Sequence, residues 1–149
     1  MKLMAFVHEV GAAIVLVMLT VALQSTGMAA LIEWARVHLP KALSRPDRVR
    51  SAVLMVRLMG LIVCLHVLEI LLWAWFYRVN CFATWEAAFY FSACSYSTVG
   101  YGDLVLQRAW RHLGSLEALT GVLMCGLSAG FLFAVVTRLV ERVEQANYS

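Results

Sequence analysis

The stretch Thr98-Val99-Gly100-Tyr101-Gly102-Asp103 lies in the second half of a chain of 149 residues. An aromatic segment, residues 82–96, precedes it, and a long apolar segment, residues 118–137, follows after a brief polar loop. Gly100 and Gly102 have no Cβ and readily adopt positive φ, so the backbone here can leave ordinary strand geometry. The stretch therefore predicts an irregular segment enclosed by apolar elements.

A backbone of this kind can replace the water shell of a cation. Backbone carbonyls supply oxygen atoms without a fixed charge, provided that they all point toward one axis. Thr98 can add its hydroxyl oxygen at the inner end, and Tyr101 can point outward and pack behind the ring. One chain supplies only one wall of such a ring, so the stretch predicts a symmetric assembly, most simply of four copies. The competing interpretation is a glycine-rich turn without this function.

The composition is that of a membrane protein. Hydrophobic residues make up 62% of the chain and charged residues 14%, and the mean hydropathy is +0.80. Soluble domains contain about 45–50% apolar and about 25% charged residues. A net charge of +3, without a basic block, argues against a nucleic-acid partner. The cysteines are scattered without metal-ligand spacing, so we expect neither a disulfide framework nor a metal-ligand cluster: Cys64, Cys81, Cys94 and Cys125.

The first apolar run extends from Val10 to Ile32 and contains no charged residue. As a helix it would be roughly 34 Å long, enough for a bilayer core of about 30 Å. A cleaved signal peptide is the alternative, because Lys2 precedes the run. The run is long for a signal peptide, and no convincing cleavage site follows it. We therefore favour a retained transmembrane helix, residues 1–32.

The segment 33–51 is polar and basic, and Pro40 and Pro46 are expected to interrupt its helical continuity. Its excess of arginine and lysine predicts a cytoplasmic linker. A solvated loop is the simpler interpretation, and contact with anionic lipid headgroups is the alternative.

The second apolar span covers residues 52–77 and includes His66 and Glu69, three residues apart on one helix face. Ionisable groups at mid-membrane are costly, about 2.5–3.5 kcal/mol on insertion scales, so both should face protein. We favour a structural polar pair, with a proton sensor as the alternative.

A short helix is predicted from Trp85 to Tyr96, with Thr84 as its N-cap and Glu86 in its first turn. Its length would be roughly 18 Å, about half of the membrane thickness. A half-length helix that leads into a glycine-rich segment indicates a re-entrant arrangement. The negative carboxyl ends of such helices would favour a cation near the axis.

The third apolar span covers residues 118–137, and Gly126 and Gly130 in it indicate either a hinge or a close-packing seam. Glu117 precedes the span, and we expect a structural role for it. A short polar tail, residues 141–149, ends the sequence. The basic linker and the C-terminal end from Arg138 onward together carry seven of the twelve lysine and arginine residues. This distribution places the C-terminus in the cytoplasm and the N-terminus outside.

With the stretch Thr98 to Asp103 between these helices, residues 52–140 resemble the pore module of the potassium channels. That module consists of an outer helix, a re-entrant pore helix, a filter loop and an inner helix. The resemblance implies an all-α membrane fold in which one additional N-terminal transmembrane helix precedes the module. It also implies that Thr98, Val99, Gly100 and Tyr101 coordinate potassium ions through their carbonyls, with Gly102 completing the filter.

The resemblance assigns supporting positions as well. Tyr90 and Phe91 fall where the family places an aromatic cuff around the filter tyrosine, and Asp103 falls where a residue often hydrogen-bonds to that cuff. Cys94 stands where some members carry a glutamate behind the filter, so this acid clamp on Asp103 is absent. The hinge candidate and the cavity-lining positions are Gly126, Leu127, Gly130 and Ala134.

The function implied is that of a homotetrameric, potassium-selective channel subunit that conducts passively across a cell membrane, here a bacterial inner membrane. The alternatives are a non-selective cation channel and a non-conducting regulatory subunit with a pore-like fold. We expect no cofactor besides the permeant ion, and no enzyme activity, because the sequence has neither a phosphate loop nor a nucleophile–base pattern. Partners would be other copies of the chain and membrane lipids. Gating by pH, by lipid or tension, or by a separate regulatory partner stays open.

Overall fold

The computed structural model describes residues 2–43 and 48–147, and within these ranges the regular elements are α-helices, without a strand. They are α1 (Lys2–Leu43), α2 (Arg48–Asn80), α3 (Trp85–Tyr96) and α4 (Leu113–Asn147). Three of them contain segments long and apolar enough to cross a membrane, at residues 6–38, 49–80 and 113–138. The predicted all-α membrane fold and its three spans are confirmed.

The helices extend beyond their apolar spans. α1 continues through Pro40 to Leu43, so the break predicted at Pro40 is wrong, while Pro46 lies outside the described residues. Within a helix, proline removes one hydrogen bond and crowds the carbonyl four residues before it, which can bend the helix without ending it. α4 likewise continues into the segment predicted as a polar tail, because its backbone hydrogen bonds do not depend on the bilayer.

α1 packs against α2 and α4 through an apolar cluster toward its carboxyl end. The buried members of this cluster are Met28, Leu31, Leu54, Leu58, Ile62, Leu65 and Val135. α1 and α2 approach closely at Gly27, where an added Cβ would meet the side chain of Leu65. The indole nitrogen of Trp73 in α2 also donates to the Thr20 hydroxyl at 2.9 Å. The N-terminal helix is therefore an integral part of the packed fold.

A second apolar cluster lies toward the other end of α2 and encloses the short helix α3. Its buried members are Leu16, Trp73, Tyr77, Ala88 and Leu113, contributed by all four helices. Phe91 of α3 joins this cluster, with its ring 5.0 Å from that of Tyr77 in an edge-to-face arrangement. α3 is too short to cross a membrane, and it is held in place by the longer helices around it.

Candidate functional site

The helix α3 begins and ends where the sequence predicts. The Thr84 side chain accepts a hydrogen bond from the backbone amide of Ala87 at 3.2 Å, and Glu86 lies in the first turn. Both features stabilise a helix start, because free amides and the positive end of the helix dipole lie there. The predicted N-cap is confirmed, and α3 directs its carbonyl end into the stretch 97–103.

The backbone after α3 folds back onto the carbonyls of its last turn. The amide of Ser97 donates to Ala93 at 3.1 Å, that of Thr98 to Ser95 at 2.9 Å, and that of Gly100 to Cys94 at 3.2 Å. These bonds satisfy carbonyls that a helix end otherwise leaves without a partner. The start of the loop is thereby fixed to the end of the helix.

Every second residue of this loop has a positive φ: 61° at Thr98, 54° at Gly100 and 78° at Gly102. An extended chain with negative φ throughout points successive carbonyls to opposite sides, whereas alternation between the two hands allows them to share one side. Glycine adopts positive φ without strain, but Thr98 is β-branched and rarely does so. Strained backbone of this kind clusters at functional sites.

Asp103 closes the loop through a contact with α3. The Tyr90 hydroxyl donates to the Asp103 carboxylate at 2.8 Å, which is the contact with the cuff position that the resemblance suggests. This hydrogen bond to Asp103 raises the pKa of Tyr90 above its ordinary value, because the anion beside the phenol disfavours its ionisation. The phenol therefore keeps its hydrogen and can continue to donate it.

The other cuff position behaves differently within the single chain. Phe91 packs against Tyr77 and Phe82 and lies in the apolar cluster around α3. The side chain of Tyr101 is 73% exposed, so this chain does not itself cover it. Cys94 is half-buried, and its carbonyl accepts the Gly100 amide described above.

A buried carboxylate braces the middle of α3 from α4. Glu117 is fully buried, and its two carboxylate oxygens lie 2.8 Å from the Tyr77 hydroxyl and 2.5 Å from the Ser92 hydroxyl. The Ser92 oxygen is also 2.9 Å from the carbonyl of Ile70 in α2. Glu117 thus connects α2, α3 and α4 at one point, a connection that its position in the sequence did not reveal beyond a general structural role.

A second polar group holds the end of α3 from α2. The Tyr96 hydroxyl donates to the fully buried Glu69 carboxylate, and His66 Nδ1 lies 2.8 Å from the Tyr96 hydroxyl and 3.2 Å from Glu69. The prediction that this pair faces protein is confirmed for Glu69. The backbone carbonyl of Tyr96 lies against Gly121 of α4, where a Cβ would overlap it. Tyr96 is thus held at its hydroxyl by α2 and at its backbone carbonyl by α4.

α4 presents one covered face and one uncovered face. Met124, Ser128 and Val135 are buried against the other helices, whereas the predicted cavity positions Leu127, Gly130 and Ala134 are all exposed in the single chain. The hinge candidate Gly126 is exposed as well, and a Cβ built on it would meet, beyond its own helix backbone and chain neighbours, open space among the described residues.

Three membrane-length helices, a short helix between two of them and a loop of alternating hand define a multi-pass membrane protein with the architecture of a pore. A protein-family model described as ion channel matches residues 55–138, more than half of the chain. The chain belongs to this family of two-helix ion channels, which share the potassium-channel pore module. Searches of curated proteins and of solved structures found no match.

Proposed function

We propose that this protein is the subunit of a homotetrameric, potassium-selective channel, and that residues 98–102 are its filter. The observation that carries the proposal is the alternation of positive φ at Thr98, Gly100 and Gly102, in a loop that begins at the carboxyl end of a half-length helix. A row of carbonyls that point to one side can replace the hydration shell of an ion. Several ions in a row then repel one another toward the exit.

The surface of the single chain supports an assembly of several copies. Val99 and Tyr101 are 51% and 73% exposed, although a filter needs its side chains packed to keep its carbonyls in place. A cavity of about 590 Å³ lies behind the loop, between Cys94, Thr98 and Ala118. One chain supplies one wall of an axial pore, and closed cyclic symmetry supplies the others. Neighbouring copies would cover the exposed filter side chains and the uncovered face of α4.

Electrostatics favour a cation as the permeant species. The carboxyl end of a helix carries roughly half a negative charge, and α3 directs this end toward the loop. The Asp103 carboxylate lies at the outer end of the same loop. The sequence Thr98 to Gly102 is the one found in potassium-channel filters, and it favours potassium over sodium.

Flux measurements with the purified protein in liposomes test the proposal. We expect a potassium flux that barium blocks and a much smaller sodium flux under the same gradient. Equal potassium and sodium fluxes would instead identify a non-selective cation channel. Absence of any flux from liposomes that contain intact tetramers would identify a non-conducting subunit. Cross-linking followed by mass determination establishes the number of copies independently of flux.

We extend the proposal to a bacterial inner membrane, with the C-terminus in the cytoplasm and the N-terminus outside. Glu9 near the start of α1 contacts His112 in the loop that follows the filter, which supports placing the N-terminus on the filter's outer side. Tags at either end, probed with protease on intact cells, test this arrangement. Cleavage of a C-terminal tag from outside would contradict it.

A further inference from the structure

The helix α1 precedes the matched residues 55–138, yet it makes a buried polar contact with the inner helix. The Gln24 side chain is 1% exposed, and its amide nitrogen donates to the Met124 carbonyl at 3.2 Å and to the Ser128 hydroxyl at 2.9 Å. A carbonyl oxygen can only accept, so the Met124 contact requires the nitrogen of the amide to face α4. Both hydrogens of this nitrogen are therefore directed at one turn of the inner helix.

The two acceptors lie on either side of Gly126. Met124 and Ser128 are four residues apart, so they are neighbours across a single helical turn. Gly126, between them in the sequence, is the hinge candidate. An added Cβ there would meet open space among the described residues. A bend of α4 at Gly126 would change the separation between the Met124 carbonyl and the Ser128 hydroxyl. One amide group could then no longer reach both.

The burial of this contact makes it favour an unbent α4. Ser128 is itself buried, and Gln24 lies within the segment of α1 that is long and apolar enough to span a membrane. Inside a bilayer no water is available to replace a hydrogen bond that breaks. A bent helix would therefore lose a hydrogen bond that water does not replace.

A second contact holds the beginning of α4. The Glu9 carboxylate accepts hydrogen bonds from the His112 backbone amide at 2.8 Å and from its ring nitrogen at 3.1 Å, and His112 directly precedes α4. An acceptor at this position stabilises the positive end of the helix. With the outer end of α4 fixed to α1, motion of the inner helix is left to the segment below this anchor, which contains Gly126.

We propose that Gln24 is a positioning residue that keeps the inner helix α4 unbent across Gly126, so that the N-terminal helix sets how readily the pore-lining helix bends. The effect on conduction rests on the proposed function, whereas the effect on α4 does not. α1 thereby acts as a restraint on the inner helix in addition to anchoring the protein in the membrane.

Three substitutions test the restraint. Gln24→Met keeps the size of the side chain and removes its donors, and Ser128→Ala removes one acceptor with a smaller change. Thr20→Val is the matched control, because Thr20 is also a buried polar residue of α1. Among the described residues its hydroxyl donates to Leu16 of α1 and accepts from Trp73 of α2. All three are compared with the wild type as purified, membrane-reconstituted protein.

The first measurement is amide hydrogen exchange across residues 122–132. We expect exchange about three- to tenfold faster in Gln24→Met and about two- to fourfold faster in Ser128→Ala, the range for losing one or two hydrogen bonds. Exchange in this segment should match the wild type in Thr20→Val. Unchanged exchange in Gln24→Met, or an equal increase in Thr20→Val, would overturn the proposal.

The second measurement is the open probability of single channels. Gln24→Met and Ser128→Ala should change it in the same direction, and the double variant should change it no further than Gln24→Met alone. Additive effects of the two substitutions would contradict a shared contact. If the wild type conducts no ions while hydrogen exchange responds to Gln24→Met as expected, the proposed function fails and the restraint on α4 stands.

Discussion

The candidate filter loop depends on backbone atoms, whereas the packing behind α3 depends on side chains. In residues 98–102 the candidate ligands are backbone carbonyls, and the side chains of Val99 and Tyr101 are exposed in the single chain. Behind α3 the contacts are made by buried side chains, above all the carboxylates of Glu117 and Glu69. The loop thus supplies the proposed ion ligands, while the packing of side chains behind it holds α3 in position.

This difference bears on the position behind the filter that Cys94 occupies. Some relatives in the potassium-channel family carry a glutamate on the pore helix there. In this chain the buried carboxylates come from α2 and α4 instead, and they reach α3 through the hydroxyls of Ser92 and Tyr96. A brace for the short helix is therefore present, although it is attached to different helices. Substitutions in the loop and in this brace should therefore have separable effects.

The largest effect is expected in the loop itself, from Gly102→Ala. Its φ of 78° places an added Cβ in a left-handed conformation that costs roughly 1–2 kcal/mol in each copy. In the proposed four-copy pore, ion flux should fall by about 100-fold or more while the assembly persists. Gly60→Ala is the control, because this exposed helical glycine has open space among the described residues. Normal flux in Gly102→Ala would refute the filter assignment.

The next effect concerns the contact between α3 and α4, tested by Gly121→Ala. The added Cβ would overlap the backbone carbonyl of Tyr96, which cannot turn away as a flexible side chain could. Overpacking of this kind costs about 1–3 kcal/mol, so thermal unfolding of the purified protein should occur at a lower temperature. The same Gly60→Ala variant serves as the reference. An unchanged unfolding temperature would show that α3 can move away from α4 without loss.

A smaller effect is expected from the brace, tested by Ser92→Ala and Glu117→Gln separately and together. Because Ser92 and Glu117 share a hydrogen bond, the double substitution should cost less than the sum of the two, with a coupling of about 0.5–3 kcal/mol in the free energy of unfolding. Thr120→Val is the matched control, since among the described residues its hydroxyl donates to the Leu116 carbonyl of its own helix. Strict additivity would show that the brace does not act as a unit.

The smallest effect is expected at the outer end of the loop, from Tyr90→Phe. This change removes the hydrogen bond to Asp103 and leaves the ring, so the decline of current during maintained opening should become about two- to fivefold faster. Because the pKa of Tyr90 is raised, the wild-type contact should hold up to at least about pH 10, the ordinary value for tyrosine, and weaken only above it. A wild-type decline that already accelerates near pH 8 would contradict this assignment.

The features that were predictable from the sequence depend on near neighbours in the chain. α3 runs from Trp85 to Tyr96 as expected, because its N-cap and first-turn acid lie within a few residues of its start. The three spans follow from local hydropathy, and the glycines of the filter stretch allow its alternating backbone. The break predicted at Pro40 was wrong, because proline within a helix can bend the helix without ending it.

The features that could not be predicted from the sequence are contacts between residues far apart in the chain. Ser92 and Tyr77 lie 25 and 40 positions from Glu117, and Gln24 lies 104 positions from Ser128. No periodicity in the sequence indicates which hydroxyl contacts which carboxylate. That depends on the crossing angles of the helices and on the face that each helix turns toward its neighbours. The sequence thus specifies the elements and the candidate filter through local chemistry. How α3 and the candidate filter are braced, and which side chains of α1 contact α4, follows from the packing of distant helices against one another.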